Sequence, residues 1–386
     1  MGPLFLTGFS SRRPPYVSEQ RAMLDWIAEA HATSTATRDG LGPAERDALR
    51  DRLRAIIARC ACGPKQIGRR AHAIPDTDST AWDSHPIYDV TRHPRGRGAG
   101  ERSRLYAAVV NDYFTAAYAD DRDPPRDLIH VTCTGYVAPS PAQRMVAARG
   151  WGAHTRVTHA YHMGCYAAFP AVRLAAGALR TPDAMAAAGA PPRVDIVHTE
   201  LCTLHFDPGT TSMEQLVVQS LFADGYIRYA LVDAPPPSAL RVLALAERIV
   251  PDSTEAMGWV VSDFGMEMTL ARDVPDRIAG ALRGFVSEVY RRAGLDAAAE
   301  LRRTIAAVHP GGPRIVDKVR DVLEIDEAQV RASREVLFEY GNMSSATLPH
   351  VWMRVLDDPA VAPGTPVLSL AFGPGLTIAA ALFRKE

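Results

Sequence analysis

Cysteine is scarce in this chain: five in 386 residues, at positions 60, 62, 133, 165 and 202. An odd, scattered set of thiols does not make a disulfide framework and suits a reducing compartment. Charge of one sign is missing too. Lys and Arg number 43 against 44 Asp and Glu, a formal net of −1 with the signs mixed along the chain. That leaves no basic footprint for nucleic acid and no polybasic stripe for a membrane surface. No apolar run reaches the ~18 residues needed to cross a bilayer. The opening segment from Met1 to Ser10 is only briefly apolar, has no charged lead or small-residue cleavage site, and runs into Arg12 and Arg13. It predicts no secretory leader, and the absence of Ser or Thr at the sixth position predicts no myristoylation. The expectation is a cytoplasmic protein.

What the chain has is enough apolar material for a large core: 47% hydrophobic residues and 23% charged, consistent with one big domain or two fused halves. Residues 1 to about 75 read as helical and mobile, with helical spacing from Glu19 to His31 and from Pro43 to Arg59. Asp76 to Gly100, rich in Pro, Gly, His and Arg, reads as a loop. Beyond it the pattern alternates. Strands are predicted at Leu128 to Thr132, Val194 to Val197 and Ile227 to Val232, and helices at Pro141 to Arg149, Tyr166 to Leu179 and Glu214 to Leu221. The second half repeats the logic: strands at Leu243 to Ile249, Glu267 to Leu270, Thr304 to Val308, Val367 to Ala371 and Thr377 to Phe383, with helices at Val274 to Ala293, Pro313 to Leu323 and Arg331 to Leu337. Such alternation predicts an α/β architecture. An internal duplication is compatible with it, although no sequence repeat proves one.

Three polar residues sit in frames that constrain the backbone: Cys165 in Tyr-His-Met-Gly-Cys-Tyr, His309 in His-Pro-Gly-Gly-Pro, and Asn342 in Tyr-Gly-Asn-Met-Ser-Ser. Alone, each has a plain structural reading: a small buried hydrophobe, a satisfied core histidine, a turn or helix cap. Together they make a candidate site in which a thiolate holds an acyl group while His and Asn stabilise an adjacent carbanion. Cys165 is expected on a strand-to-helix turn, where helix amides and His309 would depress its pKa. A rival set, His159, His162 and Cys165 with His154 nearby, has a spacing that suggests metal ligands. It lacks a second Cys or His pair at zinc spacing, and a metal would consume the thiolate. Cys60-Ala-Cys62 is no more persuasive as a metal or redox pair.

Around these residues lie Cys-Thr-Gly-Tyr-Val-Ala-Pro-Ser (133 to 140), Thr-Glu-Leu-Cys-Thr-Leu (199 to 204), Leu-Phe-Ala-Asp-Gly (221 to 225), Pro-Asp-Ser (251 to 253), Glu-Tyr-Gly-Asn-Met-Ser-Ser-Ala (339 to 346) and Phe-Gly-Pro-Gly-Leu-Thr (372 to 377). In this order, from about Asp127 to Phe383, the chain resembles the type III polyketide synthases, the chalcone synthase-like family, and among them bacterial members of the alkylpyrone and alkylresorcinol type. The resemblance implies a thiolase fold, two similar βα halves forming a five-layered αβαβα core, here 1–238 with the nucleophile and 239–386 with the His and Asn. It also implies a homodimer with a Cys165, His309, Asn342 triad. The activity implied is decarboxylative condensation of malonyl-CoA onto a Cys-bound acyl starter, followed by cyclisation. No metal or flavin cofactor is called for, because coenzyme A thioesters bring the chemistry as substrates.

The resemblance further assigns a substrate-binding set. Phe222 matches a gatekeeper phenylalanine, and Met268 replaces the other. Cys202 and His205 stand for threonines, Trp259 for a glycine, and Ala138 at the position that reaches toward the partner subunit; Ser344, Gly373 and Pro374 complete the set. Trp259 would fill the space of a bulky aromatic starter, so an aliphatic one is expected. Ile57, Cys60 and Pro64 fall where cations usually meet the coenzyme A phosphates, leaving Arg54, Arg59 and Lys65 as substitutes, or a starter carried on an acyl carrier protein. The alternative function is a ketoacyl synthase III-like enzyme performing one condensation or acyl transfer; a non-enzymatic binding module is the remaining alternative.

Overall fold

Period-two alternation along the strands sorts the core into layers. The structure, a computed structural model, describes residues 2–180 and 192–386. Its strands are β1 (Leu4–Arg12), β2 (Tyr16–Glu19), β3 (Arg69–His72), β4 (Asp127–Thr132), β5 (Arg156–Tyr161), β6 (Arg193–Leu201), β7 (Asp224–Val232), β8 (Leu240–Ile249), β9 (Met257–Ser262), β10 (Gly265–Leu270), β11 (Ile305–Val308), β12 (Pro366–Gly373) and β13 (Thr377–Lys385). The helices are α1 (Gln20–Asp39), α2 (Pro43–Cys60), α3 (Ala99–Ala117), α4 (Pro141–Ala148), α5 (Ala168–Leu179), α6 (Met213–Leu221), α7 (Val274–Arg292), α8 (Ala297–Glu300), α9 (Pro313–Leu323), α10 (Arg331–Tyr340) and α11 (Thr347–Asp357).

Nine strands form one sheet in the order β11-β12-β13-β8-β1-β7-β6-β4-β5. Within it one pattern occurs twice. β4 runs parallel to β6, β6 antiparallel to β7, and β7 antiparallel to β1. Likewise β11 runs parallel to β12, β12 antiparallel to β13, and β13 antiparallel to β8. The antiparallel pair β1 and β8 joins the two. This is the duplication that a thiolase fold requires.

On β4, Ile129 and Val131 face inward; on β13, Ala379, Ala381 and Phe383 do, and both sets meet Phe169 and Val172 of α5 and Leu348, Val351 and Trp352 of α11. Leu128 and Val197 face outward onto Ile27, Phe114 and Met145. Leu368, Leu370 and Ile378 face outward onto Ile278, Leu282 and Phe285 of α7 and Val316 of α9. The result is helix, sheet, helix, sheet, helix. α5 and α11 are the middle layer, buried along most of their length, with Arg173 and Leu174 of α5 left exposed.

The N-terminus differs from expectation. Leu4–Arg12 is no helix but a central strand, hydrogen-bonded to β7 on one side and β8 on the other. Its partners lie more than 210 residues away, so tertiary pairing decides what local pattern does not. α3, β5 and β9 also lie where no element was expected. Residues 76–98 are a loop with two short 3₁₀ turns, as read.

Candidate active site

β5 ends at Tyr161, and the chain turns back through His162 (φ 61°) and Gly164 (φ 77°) into a 3₁₀ turn, Gly164–Tyr166, before α5 begins. Glycine is required at 164 for its left-handed backbone and because a Cβ there would stand 2.5 Å from Pro374 Cδ. The Gly164 N–H donates to Cys133 Sγ at 3.1 Å. The turn delivers Cys165, 9% exposed.

Asn342 arrives from the other half. Its N–H donates to Leu221 O at 2.9 Å and its carbonyl accepts from Ala223 N at 2.8 Å, which docks it beside Phe222. The side chain is oriented from two sides: Oδ1 accepts from Ser344 N at 2.9 Å and Thr347 Oγ1 at 3.3 Å, while Nδ2 donates to Gly311 O at 3.4 Å. Cys165 Sγ lies 4.0 Å from Ser344 Oγ and also interacts with the Asn342 side chain. His309 stands at the end of β11, its N–H on Leu370 O at 2.7 Å. It is buried, and among the described residues neither ring nitrogen has a hydrogen-bond partner. Asn342 thus links the Cys165 turn to the His309 loop through Gly311.

The electrostatics correct one expectation. The Cys165 thiol is not depressed in the resting site: burial pushes it up to about 12, and the Glu200 carboxylate adds to the rise against Ser344 and Asn342. Burial likewise pushes His309 down to about 3. Burial thus favours the neutral form of both thiol and imidazole, so forming the thiolate requires a base to take its proton.

Glu200 is a residue the sequence reading quoted without a role. Its carboxylate accepts from Cys133 N, Thr134 Oγ1 and Ser345 Oγ, and burial raises it to about 7. Ser345 continues to His198 Nδ1 at 3.1 Å, and His198 Nε2 to Tyr229 OH at 3.0 Å.

Cys165 opens into a cavity also lined by Cys133, Cys202, Phe222, Trp259, Met268, Ser344 and Pro374. Trp259 is held as a wall: its Nε1 donates to Cys133 O at 2.8 Å, and its ring stacks on Phe222 with centroids 6.3 Å apart. His205 lines an adjoining chamber, bonded through Nε2 to Thr134 O at 2.8 Å. Ala138, at the position expected to reach toward a partner subunit, is exposed in the single chain. One expected cavity residue lies elsewhere. Gly373 is buried behind the site, where a Cβ would meet Tyr166 Cδ1 at 2.3 Å; it makes room for that ring and does not line the cavity.

Of the substitute cations, Arg54 pairs with Asp25 at 3.0 Å, while Arg59 and Lys65 are exposed. The rival metal set is dispersed onto other partners. His159 Nε2 is bonded to Ser140 Oγ and His162 Nε2 to Trp259 O, and among the described residues no three His, Cys, Asp or Glu side chains converge.

Residues 241–385 match the family of chalcone and stilbene synthases, C-terminal domain. The chain is 30% identical over 303 residues to 1,3,6,8-tetrahydroxynaphthalene synthase of Streptomyces coelicolor, covering 76% of each chain. It is 27% identical over 311 residues to the synthase of the same name from Streptomyces griseus, covering 78% of this chain and 79% of that one. Among solved structures, the C-terminal type III polyketide synthase domain of Steely1, a type I/III hybrid from Dictyostelium, superposes with a TM-score of 0.81 at 23% identity over 99% of both chains. PKS-I from the brown alga Ectocarpus siliculosus gives 0.75 at 21%, over 100% of this chain and 99% of that one. Fold and relatives define an acyl-transferring enzyme of thiolase fold. The chain belongs to the type III polyketide synthases.

Proposed function

We propose that this enzyme loads an acyl starter onto Cys165 and extends it with malonyl-CoA by decarboxylative Claisen condensation, releasing a cyclised pyrone or resorcinol/phloroglucinol-type product. The observation that carries the reading is a buried Cys165 thiol that opens into a cavity lined by Phe222 and Trp259 and engages Ser344 and Asn342, with the oriented Asn342 amide tied through Gly311 to the loop that holds the buried His309. Cys165 sulfur attacks the starter thioester, its proton passing to His309, and the released thiol of the carrier takes a proton in turn. Malonyl-CoA then loses carbon dioxide, and the electron pair left behind forms an enolate whose oxygen is met by His309 and Asn342 N–H groups. The enolate carbon attacks the acyl carbon on Cys165; the carbon–carbon bond forms, the carbon–sulfur bond breaks, and the thiolate returns for the next round.

A fixed Trp259 beside adaptable Met268 and Cys202 favours flexible aliphatic starters, delivered on coenzyme A or a carrier protein. We further propose a homodimer working in the cytoplasm, consistent with five free thiols. No metal or flavin is required by this chemistry. Mass spectrometry of products formed from a panel of acyl-CoA starters with malonyl-CoA tests it. Cys165→Ala should abolish condensation yet keep some release of carbon dioxide from malonyl-CoA. Failure of every starter to give an extended product would overturn the reading.

A further inference from the structure

The cavity at Cys165 has a neighbour. Cys202, Phe222, Trp259 and Met268 line both it and a second chamber, so these four side chains form a partition. The chamber encloses ≈ 550 Å³, its open mouth included, against ≈ 340 Å³ for the first. Met23, Trp26 and Ile27 of α1 build its far wall, and Val218 and Met266 add to an apolar lining. Apolar walls suit methylenes; a ligand's orientation is set by whichever polar groups have bonding capacity left.

Most of the chamber's polar groups have none to spare. His205 is bonded at both nitrogens, to Thr134 O and Met266 N. Gln219 is bonded through Oε1 to His31 and through Nε2 to Asp207 O, and Gln215 Nε2 is given to Met268 O. Thr203 Oγ1 donates to Asp224, and Thr77 Oγ1 is hydrogen-bonded to His72 Nδ1. Arg70 is the exception. It is 2% exposed, and its Nε donates to Gln20 Oε1 at 2.8 Å. Nη1 donates to Gln219 O and Phe222 O, each at 2.8 Å, but Nη2 is buried without a partner. No carboxylate forms an ion pair with this guanidinium among the described residues; Asp224, its nearest acidic influence, spends its oxygens on Ala73 N and Thr203. A buried cation with neither counter-ion nor full hydrogen bonding is costly unless a ligand completes it.

We propose that Arg70 is the polar anchor of this chamber, binding an oxygen acceptor, carboxylate or ketone, at the far end of an aliphatic acyl chain carried on Cys165. The inference rests on the polyketide synthase reading and names the starter class within it. The guanidinium is planar, so the group that receives the chain end through one amino nitrogen fixes the Phe222 carbonyl, at the partition, through the other.

The test compares starter thioesters of equal length ending in a methyl, a ketone or a carboxylate, measuring kcat/KM with malonyl-CoA for the native enzyme and for Arg70→Gln. The native enzyme should favour an oxygen-ended chain by ~10-fold or more, the scale of a hydrogen bond to a charged group. In the variant that ratio should fall to about one, whatever the absolute rates; a merely structural Arg70 would lower all three rates and leave the ratio standing. Preference for both oxygen-ended chains supports hydrogen-bond recognition, and preference for the carboxylate alone supports charge recognition; either supports the anchor. Should Arg70→Gln fail to fold, calorimetry of the three thioesters on Cys165→Ala protein, with Arg70 intact, reads the same preference. Equal handling of all three by the native site, or an unchanged ratio in the variant, would overturn it. Absence of carbon dioxide release with any starter would instead overturn the polyketide synthase reading.

Discussion

Removing the Asn342 side chain should damage two things by separable amounts. Asn342→Ala deletes the acceptor for the Ser344 N–H, at 2.9 Å, and for Thr347 Oγ1, at 3.3 Å. The buried Ser344 amide would then lack a partner, which costs about 1–3 kcal/mol. It also deletes Nδ2, whose protein partner Gly311 O is at the long end of the range, 3.4 Å. A donor so weakly engaged keeps capacity for a charge that develops only during reaction, and losing one such donor slows the step by ~10²- to 10³-fold. Asn342→Asp separates the effects. Its remaining oxygens preserve the bonds to Ser344 and Thr347, but the donor is gone, so the fold should melt nearer the parent temperature while decarboxylation stays slow. Carbon dioxide release from malonyl-CoA gives the rate, and intact mass after incubation with starter alone shows whether Cys165 is still acylated. Both variants should acylate and neither should decarboxylate well. If either releases carbon dioxide at the parent rate, Asn342 does not stabilise the enolate.

Trp259→Gly should raise kcat/KM for a coumaroyl-type thioester relative to an aliphatic one by ~10- to 200-fold, since it removes a wall pinned to Cys133 O and stacked on Phe222; an unchanged ratio would mean the tryptophan does not select starters. Gly164→Ala should cost about 2 kcal/mol or more and most of the activity, because φ is 77° and the new methyl meets Pro374; parent-like melting and turnover would contradict this. Glu200 is raised to about 7 from its ordinary 4.5, so the stability it contributes is complete below 4.5 and is lost as pH rises through about 7. Glu200→Gln should therefore shrink the fall in melting temperature between pH 5 and 8, and an identical fall in both proteins would refute the assignment. The buried histidines act in the other direction: His130, His198, His205 and His309, each pushed to about 3, contribute stability that is present above 6.5 and lost as pH falls toward 3.

Much of the second half was legible because its elements are locally consistent. Val367 to Ala371 and Thr377 to Phe383 are apolar on both faces, as strands covered by helices on each side must be, and the glycine frames marked the three site residues. β1 was not legible, since Leu4, Phe5 and Leu6 are too short a run to distinguish strand from helix and its pairing with β7 and β8 is set by residues far along the chain. The Cys165 acidity was misread for a related reason: the sequence shows a turn before a helix but not the burial of the thiol or the Glu200 carboxylate beside it. Arg70 was given no role, in a stretch read as helical. Only the fold shows that Gln20, Gln219 and Phe222 take three of its bonds and leave one amino group without any.

The repeated topology explains why the site draws on both halves. β4 and β11 occupy equivalent places in the repeated order, and their ends deliver Cys133 and His309. The 3₁₀ turns that precede α5 and α11 are equivalent too; one contains Cys165, and the other follows directly on Asn342 and Met343. Because α5 and α11 share the middle layer, with Phe169 and Trp352 rings 5.9 Å apart, their leading turns approach one another at the centre of the molecule. A thiol from one copy of the pattern therefore meets an amide from the other, and that amide is tied through Gly311 to the His309 loop. Cys133, the counterpart of His309, lines the cavity and accepts the Gly164 N–H, so it also steadies the Cys165 turn. In the proposed mechanism Cys165 carries the acyl chain, Asn342 serves enolate formation alone and His309 serves both steps, and this is the reason that substitutions at Cys165 and at Asn342 should disable different steps.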